Sequence, residues 1–151
     1  MRRKNKRFLP ILCGVGFSLG LSGCSGSAAS YQDGSYLAMS SVYENEDGSD
    51  EGNGYGEVSL TISGGRITGC SFQTYQPDGV LKDADYGKQD GEIANQDYYN
   101  KAQRAVQASQ NYAEQLAAKG DLKQVDAISG ATISYDEFKE AVRLALKQAK
   151  Q

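Results

Sequence analysis

Between Gly56 and Ser63 the chain alternates without interruption: Val58, Leu60 and Ile62 are apolar, while Glu57, Ser59 and Thr61 are polar. Period-two alternation is the mark of a strand with one buried face, because successive side chains point to opposite sides of a sheet. Ser63-Gly64-Gly65 follows as a tight-turn signal, and Arg66 to Tyr75 reads as the returning strand. In that second strand the apolar parity shifts between Ile67 and Cys70, which predicts a bulge near Gly69. An antiparallel hairpin is therefore fixed at the centre of the fold, and its apolar face needs a covering layer.

Two helices supply candidates for that cover. From Asn95, the residues Tyr98, Ala102, Ala105, Val106, Tyr112, Ala113 and Leu116 follow helical spacing, and Lys119-Gly120 is a helix-stop signal. A second helix is predicted from about Tyr135 to Ala149, with Phe138, Val142, Ala145 and Leu146 on one face. Upstream, Tyr36 to Tyr43 is rich in strand formers and follows an Asp33-Gly34 turn signal. The acidic stretch Glu44 to Gly54 lacks the alternating oxygen ligands of a calcium loop and reads as a solvated hairpin tip. Gln76 to Ala94, with Pro77 and three glycines, is long enough to be a binding loop. Val125 to Ile128 has room to form a short fourth strand. The expectation is one α+β domain, an antiparallel sheet of about three strands packed with two helices, and 151 residues leave no space for a second domain.

The N-terminus carries an address. Arg2, Arg3, Lys4, Lys6 and Arg7 precede a mostly apolar run from Phe8 to Leu21, the layout of a secretory signal. That run falls short of the roughly 20 residues a membrane-spanning helix needs. Leu21-Ser22-Gly23-Cys24 resembles the bacterial lipobox, which implies cleavage before Cys24 and acylation of that cysteine. The organisation expected is a lipoprotein signal peptide over residues 1–23, lipid attachment and flexible tether over 24–32, and the folded domain over 33–151. Fully extended, Ser25 to Gln32 reaches only about 26 to 29 Å, which predicts a domain held close to the extracytoplasmic face of the membrane. Cys13 leaves with the signal, so Cys70 has no disulfide partner and reads as a small core hydrophobe. Removing residues 1–23 takes five of the 16 basic residues and none of the 19 acidic ones, leaving a net charge of −8. A surface so acidic argues against nucleic acid and leaves anchoring to the lipid.

The sequence has no histidine, which excludes a Ser-His-Asp triad, a Cys-His pair and a His-based zinc site. No catalytic residue and no metal ligand set is expected. The segment with chemical content is Asp126-Ala127-Ile128-Ser129-Gly130-Ala131-Thr132-Ile133-Ser134. Ser134 and Glu137 have capping-box spacing, which predicts a helix beginning there. The small residues Ser129, Gly130 and Ala131 let a bulky group approach, and Thr132 presents a hydroxyl two residues before the helix. Free amides and the helix dipole favour an anion at that end, a phosphate being the natural guest. From the residues alone, a Ser/Thr-rich cap without any ligand is the plainer reading, since such caps are common.

Ser129-Gly130-Ala131-Thr132, with Asp126 before it and Ser134 after, resembles the flavinylation motif of FMN-binding domain proteins. The likeness extends to Gly54-Tyr55-Gly56-Glu57-Val58, to Lys82 through Lys88, and to Tyr98-Tyr99 with Ala102-Gln103, which look like the lipoprotein branch of that family. The resemblance implies FMN esterified through its phosphate to Thr132, installed from FAD by a magnesium-dependent flavin transferase, with Asp126 serving the transferase. It also implies that the flavin supplies the redox chemistry while the protein positions and tunes it.

The function expected is a membrane-tethered electron carrier, taking electrons from a membrane-bound donor and passing them to an extracellular acceptor. The alternatives are a surface ligand-binding or adhesive lipoprotein without flavin, and a flavin reductase acting on a defined substrate. A redox carrier is favoured over a substrate-specific enzyme, because no substrate pocket is legible. Among the 10 tyrosines, Tyr55, Tyr75 and Tyr86 are candidates to stack on the ring, Tyr55 being preferred. Lys88 is a candidate for the phosphate or the ring edge.

Overall fold

The computed structural model describes residues 31–150. The expected signal peptide, Cys24 and most of the tether lie outside the described residues. Three strands, β1 (Gly34–Met39), β2 (Tyr55–Ser63) and β3 (Arg66–Tyr75), form one antiparallel sheet in the order β1-β2-β3. Two helices, α1 (Gln96–Lys119) and α2 (Thr132–Gln148), complete the α+β domain.

The central hairpin forms for the reasons visible in its residues. Gly64 and Gly65 take φ of 60° and 73°, the left-handed pair that a two-residue turn needs to match strand twist. Asp33 secures the turn, its carboxylate accepting from the Gly64 and Gly65 amides at 3.0 and 2.9 Å. Those bonds hold its carboxyl below the usual range. The register shifts between Thr61 and Ile62, with Gly69 opposite Thr61 and Ile67 opposite Ile62. Thr68 is thus the extra residue of the expected bulge. β1 starts at Gly34 and stops at Met39, shorter at its far end than expected; Tyr43 then makes an isolated bridge to Gly54.

Both helices lie on the Val58–Leu60–Ile62 face, α1 along β3 and α2 across β1 and β2. Phe138 of α2 is the hub: its ring meets Phe72 edge-on at 5.0 Å and Tyr112 of α1 at 5.7 Å. Burying a side chain of that size contributes roughly 1.5 to 3 kcal/mol. Helix α1 begins where expected, with Asn95 capping the Tyr98 amide, and it ends on Gly120 at φ 68°. Cys70 is half-buried and packed against the core, and burial pushes its thiol up to about 12, so it serves as a hydrophobe and not as a nucleophile.

Two expectations are corrected. Val125 to Ile128 adds no fourth strand. Instead Val125 is buried, and the segment is held by side chains of the helices. The Tyr112 hydroxyl accepts from the Ile128 amide at 3.1 Å and donates to the Ala131 carbonyl at 3.2 Å, while Tyr135 donates to the Val125 carbonyl at 2.8 Å. A backbone spoken for by tyrosines has no ladder to join.

The second correction concerns the start of α2. It begins at Thr132 with Ala131 as its N-cap, and no side chain caps it, so the Ser134–Glu137 capping box does not form. The physical reason is the same clamp. With Gly130 at φ 81° and the Tyr112 hydroxyl bonded on both sides of the turn, the chain is already helical at Thr132. Ser134 and Glu137 then fall inside the helix, both buried.

Tyr112→Phe keeps the ring and removes both bonds, leaving the Ile128 amide unpaired beside the core while the Ala131 carbonyl keeps the Tyr135 amide. The expected loss is about 1 to 3 kcal/mol, read as a lower urea midpoint with an unchanged slope. A midpoint equal to that of the parent would mean the hydroxyl does not hold the turn.

Candidate functional site

The clamped turn delivers Thr132 to the rim of a cavity of about 330 Å³. Thr132 is exposed and stands at the first position of α2, not two residues ahead of it as expected. Among the described residues, nothing accepts from the backbone amides of Thr132, Ile133 and Ser134. Three unsatisfied donors at the positive end of a 17-residue helix make a place for an anion. Gly130 and Ala131 line the cavity with them, and a side chain added at Gly130 would meet no atom within 4 Å, so the approach to Thr132 is open.

The opposite wall is apolar and aromatic. Ala102, Ala105 and Val106 come from α1, with Tyr98 one turn before Ala102 on the same face, and Tyr86 joins from the connection after β3. A side chain at Gly87 would reach the Ala102 Cβ at 2.8 Å, so the connection lies flat on α1 only because residue 87 is glycine. Burial raises the Tyr86 phenol well above its ordinary value, with Tyr98 adding to the effect.

Two lysines reach the cavity. Lys82 is buried, donates to the Gly52 carbonyl at 3.0 Å and lies 5.2 Å over the Tyr86 ring. Burial draws its ammonium down, against the pull of Glu137. Lys101 of α1 is ion-paired to Glu51. That pair straps the Glu44–Gly54 segment to α1, and Asn45, Ser49 and Gly52 of this segment line the cavity. The segment was expected as a solvated tip. It bends inward because Gly52, at φ 78°, lies against Ile133, where a Cβ would come within 2.6 Å of the Ile133 side chain. The Asn45 and Asn53 side chains hold its own backbone in place.

Among the residues singled out by sequence, Ser129 and Gly130 are exposed in the turn, and Ala131, Thr132 and Ser134 converge on the cavity. Tyr55 does not. It alternates with Gly56 and shares the face of Glu57, away from both helices, where its ring stacks on Tyr75 at 5.3 Å. The period-two pattern that places Val58 inward already turns Tyr55 outward, so this signal was present in the strand. Of the three candidate tyrosines only Tyr86 lines the cavity; Tyr98 was absorbed into the helical pattern. Lys88 is likewise elsewhere, paired with Asp85 at 2.6 Å. Asp126 is exposed, bonded to Lys119 at 3.1 Å and outside the cavity lining. Lys82 was missed as a site residue because a lone lysine in a polar loop reads as solvated.

The donor set fits a flavin mononucleotide. Uncapped amides and Lys82 suit a phosphate, and the wall of Ala102, Ala105 and Val106 with Tyr86 and Tyr98 suits a flat, largely apolar ring. Such a domain is a binding module for a nucleotide-type cofactor, built between a sheet and the start of a helix.

The chain belongs to the FMN-binding domain family, whose model matches residues 52–147, and it is a flavin-binding protein of that family. The match runs from the cavity-lining loop through α2. A Clostridium perfringens protein of known crystal structure shares the fold, with a TM-score of 0.57 and 20% identity over 80% of this chain and 89% of that one. A Clostridium thermocellum protein solved by NMR aligns over 79% of this chain and 92% of its own at 21% identity, with a TM-score of 0.40. No curated protein matches the chain.

Proposed function

We propose that Thr132 carries FMN through a phosphoester and that the domain is an electron carrier tethered outside the cytoplasmic membrane through Cys24. The observation that carries this reading is the exposed Thr132 hydroxyl at an uncapped helix start, on the rim of a cavity that fits the cofactor. The flavin, when bound, supplies one- and two-electron redox chemistry.

The chain's own residues do the rest. The Thr132, Ile133 and Ser134 amides, with Lys82 behind them, neutralise the phosphate. Tyr112 keeps the turn from moving, and Ser129, Gly130 and Ala131 leave room for the transferase that esterifies Thr132 from FAD with magnesium. Asp126, exposed on the same turn, is available to that transferase as a metal or hydroxyl partner. Tyr86, Tyr98 and the alanines of α1 exclude water from one side of the ring. Electrons would come from a membrane-bound donor and leave to an extracellular acceptor.

Intact-mass measurement of the protein taken from its own membranes tests attachment and anchoring together. The expected mass exceeds that of residues 24–151 by the lipid and by FMN less one water. A mass showing lipid alone would leave a tethered ligand-binding module, the competing reading.

A further inference from the structure

Behind the cavity lies a carboxyl with nothing to bond. Glu137 is 4% exposed, and neither of its oxygens has a hydrogen-bond partner among the described residues. Its stem passes β2 at Gly56, where an added Cβ would stand 3.2 Å from the Glu137 Cβ and 2.4 Å from the Phe72 ring of β3. Neither strand brings a charge to it there. The titratable groups that act on it are Lys82 and Tyr86 from the connection after β3, and Glu140 on its own helix. Lys82 and Tyr86 both line the cavity, and Ser134, one turn before Glu137, lines it too.

A buried carboxylate without donors is costly, while its protonated form is much less so; a nearby ammonium narrows the gap. Here burial outweighs the pull of Lys82 and pushes the carboxyl up to about 7, so near neutral pH its two forms lie close in free energy. A modest change of charge in the cavity is then enough to move the proton.

We propose that Glu137 is a proton-holding residue for the cavity, taking a proton from solvent when the bound flavin gains negative charge. The inference rests on the flavin reading above. Two electrons from a chemical reductant, with one proton taken by the ring, leave the ring one unit more negative. The Glu137 carboxylate binds a second proton from water, so the pair of electrons enters with two protons and the charge of the site is conserved. Glu137 touches neither electrons nor substrate; it acts through the field it shares with Lys82.

The test uses the full chain loaded by a co-expressed flavin transferase, beside the flavin-free Thr132→Ala protein. In flavin-free protein labelled with carbon-13 at glutamate carboxyls, one resonance should titrate near neutrality and vanish with Glu137→Gln. Lys82→Met should move that midpoint upward. If every glutamate titrates in the ordinary acid range, or if Lys82→Met leaves the midpoint in place, the inference is overturned. In the loaded protein, dithionite reduction at about pH 8 with an indicator dye should take up measurably more protons per electron pair, at most one more, than Glu137→Gln does. Protons from the reductant cancel in that difference. Equal uptake overturns the inference while leaving the carrier reading intact. Failure to load flavin at all overturns both.

Discussion

Thr132→Ala, co-expressed with a flavin transferase, is expected to yield a colourless protein whose denatured band has no flavin fluorescence. The effect is complete loss, because no neighbouring hydroxyl can substitute. Ser129 lies in the turn on the far side of Gly130 from Thr132, and Ser134 is buried inside the first turn of α2. Thr132→Ser keeps the reacting oxygen and should retain attachment, so the pair of variants separates the hydroxyl from the side chain's shape. Stability should hardly change, since Thr132 is exposed and caps nothing; surface substitutions of this kind stay within about 0.5 kcal/mol. Fluorescence that persists in denatured Thr132→Ala would place the cofactor elsewhere.

The second large effect is on stability against pH. Glu137 has an ordinary value of 4.5, and burial raises it to about 7 in the fold. The unfolded chain therefore releases this proton through pH 4.5, while the folded chain holds it until about pH 7. Between those values the folded state binds more protons, so stability falls as pH rises, by roughly 3 kcal/mol for a shift of this size. With no histidine in the sequence, no imidazole contributes in that window. Asp33 and Asp47, held low by backbone amides, act in the opposite direction and only below their ordinary value of 3.8. Urea midpoints of the flavin-free protein should drop from pH 4.5 to pH 7, and Glu137→Gln should flatten the profile. Equal midpoints at the two pH values in the parent protein would show that Glu137 is not raised.

The hairpin and α1 were legible because their signals are local. Alternation fixes which face of β2 is buried, paired glycines fix the turn, and Asn95 and Gly120 bracket α1. The start of α2 was not legible, because Ser134 and Glu137 mimic a cap that a distant tyrosine overrides. Tyr112 lies 16 residues before Ile128, and nothing in either segment announces that one hydroxyl will serve both sides of a turn. Glu137 and Lys82 were hidden for a related reason: charged residues in amphipathic or polar stretches read as solvated. Only the convergence of loop, helix and sheet puts them out of reach of water. The run of small residues ending in Thr132 was visible, but the cavity behind it was not, since the inward bend of the Glu44–Gly54 segment depends on glycine at position 52 facing Ile133.

The Gln32 amide donates to the Ala149 carbonyl at 2.8 Å, so the polypeptide enters the fold beside the last turn of α2. Thr132 opens that same helix, whose 17 residues span about 25 Å. Entry point and the Thr132 hydroxyl are thus at opposite ends of one helix. Were the domain leashed at its entry end, as proposed, it could lie down toward the bilayer or stand up away from it, and the swing between those postures would add a helix length to the reach of the leash.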